Sequence, residues 1–551
     1  MDNQKLGNIL IAVSIFLIIG FIGIKNIDKI SFNRHSKTPP SSIKGDYTSN
    51  ENDNEKDIKY GVSSINPLAT EVGIKVLEDG GNAVDAAVAM AFALNVVDPQ
   101  NSGIGGGGGM LIKNTMNGEK VFYDYYISSG DKEPRKNIGI PGFLRGMDLI
   151  NKEMGTKELG DLIQYAIDLG ETGIEITEDY ADNLQQRSYI ASVHPDFSKD
   201  GKVLEKGDIL YQVELVKTLK EIQEHGVEIF YNGDHEISKN FLDITGISQE
   251  SLNNYKVHKY EPLEIEYRGY NVIAPPAPFS GLTLLQNLLI EEKIDIPELD
   301  FGNKEYNEKI QNLFIFTGKE NRKTIADPEF TDIDYNKKLD IDYLMSKYND
   351  NIKDDEDYEE PEVESTTAYT VIDKDGIIVS VTNTLSNYWG SYVVSDGIVY
   401  NNAMKNFTRG KNKFEYNKRP KTGISPTIIT KGDSHKEALA TSGGTKIPEY
   451  LFTYIVNTKK HGMDIQEAND LERVYYLMGK MYFESDAPYS KNPDGTIDFD
   501  DNYILLETSE SWGIMSGIEI KSDNQIQGHI DKRGYFEGST IYFNGQEKLY
   551  H

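Results

Sequence analysis

The chain has 551 residues, 38% of them hydrophobic and 10% aromatic, enough to bury one large α/β core or two. A formal net charge of −31 argues against nucleic acid as a partner and for solubility. Cysteine is absent, which excludes disulfides, thiolate metal sites, a cysteine nucleophile and a lipid-bearing N-terminal cysteine.

Ile9 to Ile24 is an apolar run between Lys5 and Lys25 and reads as a signal-peptide core or a short membrane anchor. No small-residue cleavage site precedes Lys25, which favours an uncleaved anchor over residues 1–30. Lys25, Lys29, Arg34 and Lys37 make its C-terminal flank the more basic one, against the positive-inside rule for an exported body. Residues 31–58, with Pro39-Pro40-Ser41-Ser42 and then Asn, Asp and Glu, read as a flexible spacer.

The folded part opens with a helix: Asn66 is its N-cap, Pro67 its first residue, and Gly80-Gly81 its stop. The alanine-rich stretch from Asn82 to Val97 suits a second helix packed closely on all sides. The glycines 105–109 lack the Lys-Ser/Thr of a phosphate loop, so close backbone packing is the better reason for them.

Further on, Asp354 to Glu362 is an acidic run that repels itself and cannot bury a core. It leads straight into Ser365-Thr366-Thr367-Ala368-Tyr369. Asp375-Gly376 lies between two β-branched runs, a strong hairpin signal. A two-residue loop would set Thr367 opposite Thr384, and a three-residue loop that includes Lys374 would set Thr366 there. A threonine at the head of a strand becomes a nucleophile when the preceding peptide bond is cut, because the freed α-amine, titrating at about 7.7–8.0, serves as base for its own hydroxyl. Threonine pairs are otherwise ordinary strand formers.

Several motifs together resemble the γ-glutamyltranspeptidase family. They are the alanine-rich helix with Asn101-Ser102-Gly103-Ile104 and the glycine run, the Ser365-Thr366-Thr367 strand with Val381-Thr382-Asn383-Thr384-Leu385, and Thr441-Ser442-Gly443-Gly444. Thr384-Leu385-Ser386-Asn387-Tyr388-Trp389-Gly390 is most similar to the family's poly-γ-glutamate capsule depolymerases. The resemblance implies an α+β fold, the four-layer αββα sandwich of N-terminal-nucleophile hydrolases, formed jointly by a large subunit (59–365) and a small catalytic one (366–551). It implies cleavage between Ser365 and Thr366, Thr366 as nucleophile, Thr384 orienting it, and Gly443 and Gly444 as oxyanion hole. Substrate contacts fall on Ser386, Asn402, Asn406, Thr422, Arg419 and Arg533. No metal or organic cofactor is implied, and export to the outer face of the cell envelope rests on the family's habit.

Three departures from the family pattern bear on substrate. Tyr126 stands where an arginine usually clamps the glutamyl α-carboxylate, and a tyrosine can offer only one hydrogen bond. Asn406 replaces the aspartate that pairs with a free α-amine; an amide tolerates an acylated nitrogen, as inside a γ-linked chain. Thr422-Gly423 keeps one hydroxyl of a usual Ser-Ser pair, and Ala403 is a loss of contact without an interpretation. Lys418, Arg419, Lys421 or Arg533 could compensate for the lost arginine, and the basic run from Lys405 to Lys421 could guide a polyanion. The expected activity is hydrolysis of poly-γ-glutamate or its transfer to a peptidoglycan amine. A glutathione-type transpeptidase and a non-catalytic surface protein are the alternatives.

Overall fold

The computed structural model describes residues 59–297, 304–348, 364–477, 480–484, 503–506, 512–521, 525–533, 539–544 and 547–550. The expected anchor and spacer (1–58) and the acidic run (354–362) lie outside the described residues. No helix among the described residues is long and apolar enough to cross a membrane.

In the first half of the chain the elements that place the site are β1 (Lys59–Ser64), α1 (Pro67–Glu78), α2 (Ala83–Val97), β2 (Gly107–Asn114), β3 (Lys120–Asp124), α3 (Phe143–Met154) and α4 (Glu178–Gln186). They are followed by β4 (His258–Tyr260), β5 (Leu263–Tyr267), β6 (Tyr270–Ala274) and α5 (Gly281–Ile294). The second half supplies β7 (Glu364–Ile372), β8 (Ile377–Asn387), β9 (Thr427–Thr430), β10 (His435–Thr441) and α6 (Ile447–Ile455). It closes with β11 (Met515–Lys521), β12 (Ile526–His529), β13 (Ser539–Asn544) and β14 (Glu547–Tyr550).

These strands form an eight-stranded sheet in the order β14-β13-β1-β7-β8-β2-β3-β4 and a six-stranded sheet in the order β12-β11-β10-β9-β6-β5. Alternation along each strand divides the core. Met110, Ile112, Val379 and Val381 join α1, α2 and α3 in one apolar cluster. From the same strands Leu111 and Ile378 join Ile273, Ile428, Ala438 and Ile518 of the six-stranded sheet in another. Val272, Ile429 and Leu439 of that sheet pack with Leu285 and Leu288 of α5 and Leu451 and Ile455 of α6.

The helix signals act locally as expected. Asn66 accepts the Leu68 N–H at 3.0 Å, and α1 stops before Gly80, whose φ is 81°. Asn82 accepts from Val84 and Asp85 at 2.9 Å while the Asp85 carboxylate takes the Asn82 N–H, a reciprocal cap on α2. Every residue of α2 is buried, which its small alanines permit.

Of the two hairpin registers, the three-residue loop is the one formed. Asp373 donates to the Ile377 carbonyl at 3.0 Å, Gly376 takes the left-handed φ of 83°, and Thr367 faces Asn383. The ladder then breaks, because Ser365 faces Ser386, so Thr384 and Leu385 together oppose Thr366. This bulge is fixed from outside the hairpin: the Leu385 N–H goes to the Asn101 carbonyl and its C=O to the Asn402 N–H, both at 3.1 Å. The glycine run pairs alongside, with Gly107 opposite Thr384. A Cβ at Gly106 would lie 2.3 Å from the Thr384 carbonyl oxygen and one at Gly108 2.4 Å from that of Thr382, so no side chain fits there.

Candidate active site

The bulge brings Ser365, Thr366 and Thr384 together, each under 5% exposed. The Thr384 hydroxyl donates to the carbonyl oxygen of Ser365 and accepts the Ser386 N–H at 2.8 Å. Its proton is thereby aimed at the carbonyl of the bond expected to be cut. The Thr366 hydroxyl takes part in no hydrogen bond among the described residues.

The chain leaving α2 holds both neighbours of Thr366. Ser365 Oγ donates to the Gln100 carbonyl at 3.1 Å and to Asn101 Oδ1. Thr367 Oγ1 donates to Asp98 Oδ2 at 2.6 Å, and Asp98 Oδ1 accepts from Gln100 Nε2 and Asn101 Nδ2 at 2.7 Å each. Burial pushes the Asp98 carboxyl up to about 7, against the opposing pull of its hydrogen bonds from Thr367 and Asn101. Sequence reasoning missed Asp98 and gave Asn101 no role. The available signal was an Asp and two amides directly after a helix buried on all sides.

A second group lies beside Thr384. Ser386, at a φ of 79°, donates to Asn406 Oδ1 at 3.2 Å, and Asn406 Nδ2 donates to the Tyr126 hydroxyl at 3.1 Å. The departures at Tyr126 and Asn406 thus touch each other and, with Ser386, form a neutral row. Asn402 Oδ1 accepts the Asn387 N–H at 3.0 Å and so anchors the end of β8. On the other side of β8, Tyr125 donates to Asn383 Oδ1 at 2.7 Å.

The Gly444–Lys446 turn packs against β7. Gly443 and Gly444 have φ of 128° and 61°, conformations that favour glycine, and a Cβ at Gly443 would lie 2.7 Å from the Tyr450 ring. Their N–H groups have no hydrogen-bond partner among the described residues. Gly423 is equally constrained, since a Cβ there would sit 2.0 Å from the Gly444 carbonyl oxygen. Next to it Thr422 is half-buried and accepts the Ile424 N–H at 3.3 Å.

At two expected substrate contacts the side chain is already engaged by the protein's own groups. Arg419 is 2% exposed and bound by Asp327 through Nε at 3.1 Å and Nη2 at 2.6 Å, by Asp124 through Nη1, and by the Tyr260 hydroxyl at 2.9 Å. Its fork is consumed by the protein's own carboxylates, and it reaches the site only through Asp124, which accepts the Tyr126 N–H at 2.9 Å. Burial raises the Asp124 carboxyl to about 6, with Arg419 pulling it back down. Arg533 likewise spends its donors on Glu484 at 2.7 and 2.9 Å, Asp531 at 3.2 Å and the carbonyls of Asn469 and Leu471. Lys418 is buried and bonded to Glu415 and the Lys411 carbonyl.

His435, Glu437 and Glu519 converge elsewhere in a group with metal-ligand chemistry. Lys459 Nζ already lies 2.5 Å from Glu437 and 3.8 Å from Glu519, so an ammonium provides the neutralising charge.

Comparison with known proteins agrees with the motifs. The model of the family described as gamma-glutamyltranspeptidase matches residues 69–540. The capsule biosynthesis protein CapD proenzyme of Bacillus anthracis is 37% identical over 414 residues, covering 73% of this chain and 76% of its own. A glutathione hydrolase proenzyme of Escherichia coli is 30% identical over 526 residues, covering 86% and 90%. Among solved structures, a cephalosporin acylase from Bacillus halodurans superposes with a TM-score of 0.75 at 21% identity, covering 93% of this chain and 99% of that one, a likeness of fold.

Proposed function

The chain belongs to the gamma-glutamyltranspeptidase family, and from that premise we propose that it is an exported, self-processing enzyme acting on poly-γ-glutamate. Membership makes it a γ-glutamyl hydrolase or transferase with an N-terminal nucleophile; the choice of Thr366 for that role is our assignment. The two sheets and their helices are read as the αββα sandwich of such enzymes, built from residues 59–365 and 366–551. Residues 1–30 would anchor it at the outer face of the membrane with 31–58 as spacer.

In this scheme Thr366 Oγ attacks the Ser365 carbonyl carbon, whose oxygen Thr384 polarises. The C–N bond breaks and frees the Thr366 amine as an ester forms on Oγ, and water hydrolyses that ester to release the hydroxyl and separate the two chains. That amine then takes the proton from its own hydroxyl, which attacks a γ-amide of the substrate. Gly443 and Gly444 N–H groups receive the oxyanion. Water releases a shorter chain, while an amine such as one on peptidoglycan would become capped with polymer. No step calls for a metal or organic cofactor.

The substrate reading is carried by the neutral row Tyr126–Asn406–Ser386. A free glutamyl α-ammonium and α-carboxylate want opposite charges, and this row offers hydroxyls and an amide instead. The interior of a γ-linked chain, where one partner is a neutral acylated nitrogen, fits it better. Similarity to a capsule biosynthesis protein supports the same choice, though glutathione hydrolases are relatives too.

The test is to incubate the processed protein with poly-γ-glutamate and with glutathione and to size the products. Shortened polymer, with glutathione turned over at least about tenfold more slowly, is expected. Faster turnover of glutathione would replace this reading with a conventional transpeptidase. Neither turnover nor chain cleavage would leave a binding protein that keeps the fold. Thr366→Ala should stay a single chain.

A further inference from the structure

We infer that the Asp98–Asn101 turn is a clamp for the self-cleavage step, with Asp98 its positioning residue, holding the residue on each side of the Ser365–Thr366 bond. The inference rests on the self-processing reading above and adds residues to it.

In a strand, residues two apart share a face, so Ser365 and Thr367 point one way and Thr366 the other. The turn after α2 grips both members of the first pair: Ser365 Oγ on the Gln100 carbonyl at 3.1 Å and on Asn101 Oδ1, and Thr367 Oγ1 on Asp98 Oδ2 at 2.6 Å. It also takes the Leu385 N–H on the Asn101 carbonyl at 3.1 Å, which creates the bulge opposite Thr366. Tethering 365 and 367 fixes the backbone of 366 between them. Attack of a hydroxyl on the carbonyl immediately before it demands one such fixed geometry, and orientation of this kind can lower a barrier substantially. The step is an acyl shift in which the Thr366 Oγ–C bond forms and the Ser365 C–N bond breaks, the hydroxyl proton passes to the leaving amine, and water then hydrolyses the ester.

Asp98 does its part best when ionised, because it accepts three donors at once, from Thr367, Gln100 and Asn101. Protonation turns one of its oxygens into a donor, and one of those contacts must reverse or be lost. The titratable group facing it from α4 is Tyr180, whose hydroxyl donates to Gln100 Oε1 at 3.0 Å; no cation pairs with Asp98 among the described residues. Burial sets its titration at about 7, so the clamp completes itself as pH rises through neutrality.

The full chain, made by translation in vitro, is followed from one band to two on denaturing gels from about pH 5.5 to about 8.5. Wild type should cleave faster as pH rises through about 7. Asp98→Asn and Thr367→Val should slow cleavage at least about tenfold, and Asp98→Asn should lose the rise near neutrality. Thr367→Ser, which keeps the hydroxyl, should restore cleavage. Stability is read separately in the uncut Thr366→Ala background. A carboxyl whose folded pKa lies above its unfolded value of 3.8 destabilises the fold as pH climbs from there to about 7, so Asp98→Asn should be no less stable above that pH. Wild-type cleavage rate and pH profile in Asp98→Asn, or Thr367→Ser no better than Thr367→Val, would overturn the clamp. So would a slowing that follows a lowered melting temperature and disappears on cooling. A wild-type chain that never splits would remove the self-processing reading, and the clamp with it.

Discussion

Arg419 and Asn406 are linked through the chain of contacts Arg419–Asp124–Tyr126–Asn406, yet they sit in opposite electrostatic settings. Arg419 is buried with two carboxylates around one guanidinium, and the same design recurs where Arg473 and Arg533 meet Asp531 and Glu484, and where Lys459 and His435 meet Glu437 and Glu519. Around Thr366 the pattern changes. Tyr126, Asn406, Ser386, Thr384 and Ser365 are neutral, and Asp98 is buried with hydroxyl and amide donors only. In these three clusters, then, buried charge is compensated and serves the fold. Beside the bond, Asp98 apart, the side chains are neutral, and in the proposed scheme the substrate, the freed amine and the oxyanion would meet neutral donors and acceptors.

The largest effect separating the two regions should come from Arg419→Ala. It leaves Asp124 and Asp327 buried without their cation, and breaking a buried pair in this way typically costs about 3–5 kcal/mol. Urea melts in the Thr366→Ala background would measure it. A loss below about 1 kcal/mol would mean that the guanidinium is not the counter-charge its geometry indicates. Thr384→Val is next. It removes the donor to the Ser365 carbonyl while keeping the branched shape of the strand residue, and loss of one such donor is typically about 2.7–4 kcal/mol of barrier. Self-cleavage should slow by about 10²–10³-fold on a gel time course. If it does not, the hydroxyl merely supports the bulge through the Ser386 N–H.

What the sequence revealed and what it hid divide along the same line. Caps, the Asp375-Gly376 turn and the glycine run are local or near-local signals, and each acts where it stands: Asn66 and Asn82 start helices, Gly376 turns the hairpin, Gly106 and Gly108 admit β8. The family motifs placed Thr366 and Thr384 on adjacent strands. The bulge was not legible, because its cause is the carbonyl of Asn101, more than 260 residues before Thr366 in the chain. The partners of Arg419 and Arg533 were hidden for a related reason. A basic residue in a basic run looks free until its carboxylates are known, and those of Arg419 come from residues 124 and 327. Asp98 went unnoticed because its partner, Thr367, is 269 positions away, and the Asp and two amides after α2 mark a candidate without naming what it holds.

The smallest expected effect is the one that bears most directly on substrate. Asn406→Asp keeps the size of the side chain and can keep its neighbours: Ser386 still donates to an oxygen, and the Tyr126 hydroxyl, which now accepts from the amide, can turn and donate to the carboxylate. Only the charge is new. A carboxylate there would pair with a free α-ammonium and gain nothing from an acylated nitrogen, so the ratio of glutathione to polymer turnover should rise about tenfold, equivalent to about 1.4 kcal/mol. The ratio is the proper readout, because a general loss of activity from burying a charge would lower both numbers together. An unchanged ratio would place the glutamyl group away from the Tyr126–Asn406–Ser386 row, and the contrast between compensated and neutral burial would then describe stability alone.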